Sequence, residues 1–497
     1  MAETPDATAT AVLTGTTGTA EFVALHAAER PEAVALIEDG RAISYAQFSR
    51  DIGKLTVALR DLGLPRGSVV AVACRSIYTH WLLLLACEQL NVASASFDPG
   101  EGFATYADLV ESAHLVLTDP GLGPVAAKRQ FPITPAWVRD ALARESAEGA
   151  VHEQQSPGDI VRILRTSGTT GHPKRIAFTR RMHELRTLRY AERYRFTRES
   201  RYLRTLPFSI GLPYGCATAC LRAGGCVVDG TGEDIGVVAK HGITHITLLP
   251  HHLKSVLDKL PADFTKPANL TIGTSGSPLS DQLAERALSL LATEVIDNFG
   301  SNEVGGISWR RASLRDSFAP VCPGTEVEVV DESGRPLPSG ELGQLRVRSE
   351  SMVEGYLDDP DTTRRFFRDG WFYPSDIAVL DGARRLKVIG RSDEIITTIG
   401  GKHASSDLEA LVMTRLGEGD VGVCMFADKD GLEVVHVAIA GVRLGDQELL
   451  ALVTQAFGEL VIGKFVVIVM EAIPRNAAGK IQRAQLKEAI AGRLKRS

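Results

Sequence analysis

Residues 166–174 read Thr-Ser-Gly-Thr-Thr-Gly-His-Pro-Lys and follow, after Arg165, on Ile-Val-Arg-Ile-Leu at 160–164, a run that reads as a strand. A strand that opens into hydroxyl side chains, two glycines and a lysine suits a loop wrapped around polyphosphate. The glycines let backbone approach an anion, hydroxyl and N–H groups donate to its oxygens, and the Lys174 ammonium offsets its charge. The Walker spacing G-x-x-x-x-G-K-[ST] is absent. Such a cluster also builds ordinary surface loops, so phosphate binding and a plain connection both remain open.

Upstream, short β-rich runs alternate with helical patterns. Runs at 33–37 and 42–45 flank Asp39-Gly40, a two-residue hairpin signal. A helix follows, with Ser44 and Gln47 as a capping box, Phe48, Ile52, Leu55 and Leu59 on one face, and Gly63 as a left-handed stop. Runs at 69–74, 92–97, 115–118 and 243–249 read as further strands, which predicts layered α/β architecture with largely parallel sheets. From about 321 the rhythm changes to short strands at 325–330, 342–348, 377–380 and 386–389. The last two flank a second hairpin signal, Asp381-Gly382, and the unit reads as a small antiparallel barrel. Beyond Arg391, strands near 421–426, 434–439 and 465–470 make a further compact α/β segment.

A chain of 497 residues is too long for one core and should divide into domains. Lys plus Arg total 55 against 61 Asp plus Glu, a net charge of −6, which gives no bulk electrostatic reason for a nucleic-acid or anionic-membrane partner. The Thr- and Ala-rich first twenty residues read as a flexible tail rather than a signal peptide. The most apolar helical run, 81–87, is too short to span a bilayer, and a cytoplasmic location is expected. The 7 cysteines contain no Cys-x-x-Cys pair. Cys216, Cys220 and Cys226 cluster without zinc spacing, so small buried residues in a reducing compartment are expected.

Four more segments complete a pattern. They are Asn298-Phe299-Gly300-Ser301-Asn302-Glu303, GWFYPSD at 370–376, Gly390-Arg391-Ser392-Asp393-Glu394, and Pro474-Arg475-Asn476-Ala477-Ala478-Gly479-Lys480 with Arg483 beyond. Together with the loop Thr166, Ser167, Gly168, Thr169, Thr170, Gly171 and Lys174, they resemble, in order, the motifs of the AMP-forming acyl-CoA synthetase, adenylation-domain and luciferase superfamily. The motifs are closest to those of acyl-CoA ligases.

The resemblance implies a flexible tail at 1–20, an adenylate-forming domain at 21–390 with its barrel part at about 321–390, a hinge at 391–396 and a small mobile α/β domain at 397–497. It implies that Phe299 stacks on adenine beside Asn298, Gly300 and Ser277, and that Glu303 holds Mg²⁺ against phosphate oxygens. Asp376 and Arg391 would reach the ribose, Asp393 would be the hinge, and Lys480 would bridge carboxylate and α-phosphate as acyl-AMP forms. Asn302 stands where the family usually has a Thr that contacts the α-phosphate, and Pro374-Ser375 where it has Thr-Gly.

After the hinge, Gly400, Gly401 and Lys402 resemble the Gly-Gly stretch that lines the coenzyme A path in acyl-CoA ligases. Phe208 and Ser209 fall where amino-acid-activating relatives place Phe-Asp. Without that carboxylate an α-ammonium would be buried unpaired, which argues against an α-amino acid. Gly211, Gly215, Gly273, Gly276, Gly305 and Gly306 fall around the acyl pocket of relatives. Their small volume suggests a roomy apolar pocket for an aromatic, fatty or polycyclic acid, although turns use glycine equally well.

The implied activity is a carboxylic acid–CoA ligase using ATP, which becomes AMP, with Mg²⁺ and coenzyme A. The alternatives are an adenylation enzyme that loads a carrier protein, an enzyme keeping only the acyl-AMP to coenzyme A step, and a non-catalytic nucleotide sensor. A homodimer is compatible with this reading.

Overall fold

The computed structural model describes residues 18–98, 100, 106–120, 129–144, 155–166, 174–230, 235–312, 317–392, 394–398, 401–427, 433–458, 465–476 and 479–494. The first helix, Thr19–Glu29, begins two residues inside the stretch expected to be a tail. Thr19 and Ala20 are buried, and the Thr19 N–H donates to Glu88 Oε1 at 3.0 Å. That carboxylate anchors the helix start.

Two sheets carry the first three hundred residues. The first has six strands in the order Gln130–Pro132, Leu115–Thr118, Val69–Ala73, Ala93–Ser96, Ile160–Thr166, Lys174–Thr179. All its neighbours are parallel except the last pair, an antiparallel hairpin around the Gly-rich loop. The second has eight strands. Its parallel interior of Glu294–Ser301, Thr271–Thr274, His245–Leu248, Arg201–Arg204, Cys226–Asp229 and Val34–Glu38 is closed at each edge by an antiparallel partner, Gly305–Arg311 and Arg41–Ser44.

Helices Tyr45–Arg60, Ile77–Gln89 and Gly211–Arg222 supply much of the largest apolar core, with Trp81, Phe48 and Tyr202 fully buried. Ile77–Gln89 is enclosed on every side, with residues 77–87 all buried, Thr79 and His80 included.

Local chemistry explains the turns. Asp39 and Gly40 take φ of 49° and 77°, the left-handed pair that a two-residue hairpin requires. Ser44 caps its helix by accepting from Gln47 N at 3.2 Å. The reciprocal half of the capping box is absent, because the Gln47 amide turns to Asp51 at 3.5 Å. At the second hairpin signal the loop is four residues long, 381–384, not two. Asp381 Oδ1 accepts from Ala383 N (3.0 Å) and Arg385 N (2.8 Å), and Arg384 rather than Gly382 takes the positive φ, 57°. The aspartate's side chain replaces the turn's backbone bonds and shifts the left-handed position along.

The strands expected to form a barrel make a seven-stranded antiparallel sheet, joined through Leu342–Ser349 and Asp376–Leu380. The last hundred residues pack helices Ser405–Leu416, Asp446–Phe457 and Arg483–Leu494 on a three-stranded sheet of Asp420–Ala427, Glu433–Ala440 and Phe465–Met470. Arg483 ties that unit together, pairing with half-buried Glu409 and donating to Val423 O at 3.1 Å. All seven cysteines are buried free thiols. Among the described residues no helix is long and apolar enough to cross a membrane.

Candidate active site

The hairpin that carries the Gly-rich loop sets the first two side chains. Thr166 and Lys174 are cross-strand partners where the strands meet the loop, and both are buried. Lys174 Nζ lies 4.1 Å from the Phe366 ring centroid and 4.8 Å from that of Tyr356, over aromatic faces that attract a cation. Burial lowers its pKa, while Glu303 and Asp359 pull the other way. Ser167, Gly168, Thr169, Thr170 and Gly171 lie outside the described residues, as do Asp393 and Gly400. Gly401 and the Lys402 backbone belong to strand Gly401–Ala404.

Glu303 sits in the bend between strands Glu294–Ser301 and Gly305–Arg311, and it is buried. Its Oε1 accepts from Tyr356 OH at 3.0 Å. The bend itself is clamped by Arg186 from helix Arg180–Tyr194. Arg186 Nη1 donates to Asn302 O at 2.8 Å, and Nη2 to Ser351 O at 2.6 Å and Glu303 O at 3.3 Å. The guanidinium stacks 4.1 Å from Phe178, and burial brings its pKa down to about 10.

Arg186 and Tyr356 are absent from the sequence expectations. The signal that could have found Arg186 is spacing. Arg186, Arg189, Tyr190, Arg193 and Tyr194 recur at the three- and four-residue steps of one helix face.

Asp376 opens its strand directly across the ladder from Arg391, and Asp376 is buried. The residue before it, Ser375, takes a left-handed φ of 67° and its carbonyl accepts from Ser392 N at 2.7 Å. The serine thus adopts the conformation for which a glycine is the unstrained choice. Lys480 arrives from the C-terminal unit. Its Cε lies 4.0 Å from the position a Cβ on Gly276 would take, next to exposed Ser277. Burial lowers the Lys480 pKa and Arg391 adds to that effect, while Asp376, Glu394 and Glu303 oppose it. Two lysines, one arginine and two carboxylates drawn from five separate segments therefore converge. That is a setting for a polyanion and a hard cation. No group of three His, Cys, Asp or Glu is placed to hold a metal among the described residues.

Several expected positions do other work. Asn298 is spent on a buried network, its amide nitrogen donating to Tyr194 OH (3.0 Å) and Thr274 O (2.9 Å) and its oxygen accepting from Arg193 (2.8 Å). Phe299 is half-buried against the core of the antiparallel sheet, and exposed Gly300 sits at a bulge where a Cβ would meet Gly305 O at 2.4 Å. Phe208 is a core residue, edge-on to Trp81 at 4.8 Å, and its carbonyl accepts from fully buried Arg162 at 2.5 Å. Ser209 beside it is half-buried.

The glycines do not open a roomy pocket. A Cβ on Gly215 would lie 2.4 Å from the Tyr190 ring, one on Gly273 2.0 Å from Tyr194 Oη, and one on Gly306 2.7 Å from Arg193. A Cβ on Gly211 would lie 2.6 Å from Asn302 Oδ1, and one on Gly305 3.2 Å from Ser351 Oγ and 3.5 Å from Arg186 Nε. Each missing side chain makes room for a neighbouring one, largely from a single helix. A cavity of about 30 Å³ lies beside them, lined by Leu164, His183, Tyr190, Gly211, Tyr214 and Asn302, among others. His183 is held neutral there, because burial and the surrounding arginines push its pKa well down.

Comparison with known proteins fits this geometry. The chain is 26% identical to 4-coumarate–CoA ligase-like 9 of Oryza sativa subsp. japonica, across 96% of this chain and 93% of that protein. It is 25% identical to the fatty acid–[acyl-carrier-protein] ligase ScoC of Streptomyces coeruleorubidus, across 95% and 96%. The crystal structure of ATP-bound MatB from Rhodopseudomonas palustris superposes with a TM-score of 0.81 at 21% identity, covering 95% of this chain and 98% of that one, and so shares the fold. The family model for AMP-binding enzymes matches residues 23–357. The chain therefore belongs to the AMP-binding enzyme family, within the superfamily of AMP-forming acyl-CoA ligases and adenylating enzymes.

Proposed function

We propose that the protein is an AMP-forming acid–thiol ligase. It joins a carboxylic acid to the α-phosphate of ATP, releases pyrophosphate, and passes the acyl group from acyl-AMP to the thiol of coenzyme A. The observation that carries this reading is the position of Lys480, brought from the C-terminal unit into the field of Asp376, Arg391 and Glu303. An ammonium there neutralises the charge that gathers as carboxylate oxygen attacks phosphorus. Lys174 and the loop from Thr166 cradle the leaving phosphates, Asp376 and Arg391 hold the ribose, and the part of Phe299 left outside the core covers the adenine. Glu303, steadied by Tyr356, is the carboxylate suited to Mg²⁺, which would come with the nucleotide and offset phosphate charge.

The glycine positions filled by neighbouring side chains favour a compact acid over a fatty or polycyclic one. The coenzyme A reading rests on Gly400, Gly401 and Lys402. A carrier-protein arm is the second reading, and likeness to an acyl-carrier-protein ligase favours it. The test is incubation with a pool of carboxylic acids, Mg-ATP and coenzyme A, read by mass spectrometry for acyl-AMP and acyl-CoA. Acyl-CoA with saturable dependence on free coenzyme A supports the ligase. Acyl-AMP without thioester points to a carrier. Thioester formed only from supplied acyl-AMP points to an enzyme of the second half-reaction.

A further inference from the structure

Lys480 is delivered by a tight turn. Arg475 and Ile481 form an antiparallel bridge, Gly479 N donates to Asn476 O at 2.7 Å, and Asn476 N donates to Lys480 O at 2.9 Å. Arg475 closes it, pairing with Asp420 at 2.6 Å and donating to Gly479 O at 2.6 Å. At Gly479 this turn lies against a side chain of the large domain, His251 of helix Pro250–Asp258. A Cβ built on Gly479 would lie 1.9, 2.3 and 2.4 Å from Cε1, Nδ1 and Nε2 of that imidazole. Three ring atoms at such similar distances mean that the ring presents its face to the Gly479 backbone. Gly479 also takes a φ of 69°, so this position needs glycine twice over, for its conformation and for the ring.

We propose that His251 is a positioning residue, the flat seat on which the 475–481 turn rests so that Lys480 reaches the site. The proposal builds on the ligase reading above. There the seat serves acyl-AMP formation alone and is vacated when the C-terminal unit turns for thiol transfer.

Its surroundings favour a neutral ring. Burial, the neighbouring His252 on its own helix, and Arg475 from the C-terminal unit bring the His251 pKa down to about 4, with Asp420 pulling the other way. The sign follows from linkage. An undocked imidazole protonates below its ordinary pKa of about 6.5, whereas the docked ring resists until about 4, so docking weakens as pH falls through that window. Between pH 7.5 and 5.5 the docked fraction relative to undocked should drop about tenfold.

The seat can be read without turnover. Because the seven native cysteines are buried, spin labels can be placed at two exposed leucines, as Leu290→Cys on the large domain and Leu450→Cys on the C-terminal unit. Interlabel distances are then measured by pulsed electron spin resonance in Mg-ATP. We expect His251→Ala to lower the docked population severalfold at pH 7.5 with an unchanged melting temperature. His251→Phe, which keeps a flat ring that cannot titrate, should stay docked and lose the pH response. With an acid found in the screen, His251→Ala should slow acyl-AMP formation at least tenfold and leave thioester formation from supplied acyl-AMP within twofold. Equal docked populations in the parent and His251→Ala, or a pH response that survives in His251→Phe, overturn the proposal. A silent acid screen beside an intact distance result would count against the ligase reading and not against the seat.

Discussion

Replacing Arg186 by lysine should cripple acyl-AMP formation without unfolding the protein. The guanidinium holds the Glu303 bend through two short bonds, 2.8 Å to Asn302 O and 2.6 Å to Ser351 O, and a longer one of 3.3 Å to Glu303 O. A lysine keeps the charge and can remake one of these bonds, but it lacks the planar fork that spans both carbonyls. A hydrogen bond to a charged group contributes about 1.5–3 kcal/mol, so losing one short bond costs about 2–3 kcal/mol. If that cost appears as misplacement of the Glu303 carboxylate, the rate falls about 30- to 150-fold. The assay is pyrophosphate release with a turned-over acid, alongside urea unfolding of the same variant. A parental rate in Arg186→Lys, with the unfolding midpoint also unmoved, would refute the view that Arg186 sets the bend.

Lys480→Ala should lower acyl-AMP formation by about 10²–10³, with thiol transfer from supplied acyl-AMP little changed; equal loss in both half-reactions would count against the two-pose picture. Ser375→Gly should raise stability by about 0.5–1 kcal/mol in denaturant titration, because glycine takes the 67° φ without the side-chain penalty. Gly215→Ala should destabilise by about 1–3 kcal/mol, since its Cβ would meet the Tyr190 ring at 2.4 Å. The same change in a Tyr190→Ala background should cost clearly less, and identical losses in the two backgrounds would rule out the ring contact as the cause.

The architecture was readable where local chemistry is self-sufficient. Asp39-Gly40 marked its hairpin, Ser44 capped its helix, and the run at 160–164 led into the hairpin that ends at Thr166 and Lys174. Glu303, Asp376, Arg391 and Lys480 could be named from motifs, although nothing short of the fold shows that they act on one another. The glycines misled because a sequence does not say what fills the space a glycine leaves. Asn298 and Phe208 misled for a related reason, since a residue beside a site can face the core instead. Arg186 escaped notice because a helix so rich in arginine reads as a solvated surface, while the structure buries Arg180, Arg186 and Arg193.

The face of helix Arg180–Tyr194 that plugs Gly215, Gly273, Gly305, Gly306 and Gly324 acts as a keystone between strands that are distant in sequence. On the ligase reading proposed above, its side chains, rather than the backbone around them, would set the volume left for an acid. Enlarging the substrate range would therefore not require moving a loop. Trimming Tyr190 alone would vacate the space beside Gly215 and extend the existing hollow along the helix, while the Arg186 clamp and the Glu303 bend stayed in place. In an engineer's terms, capacity and catalysis are mounted on the same beam but fastened by different bolts.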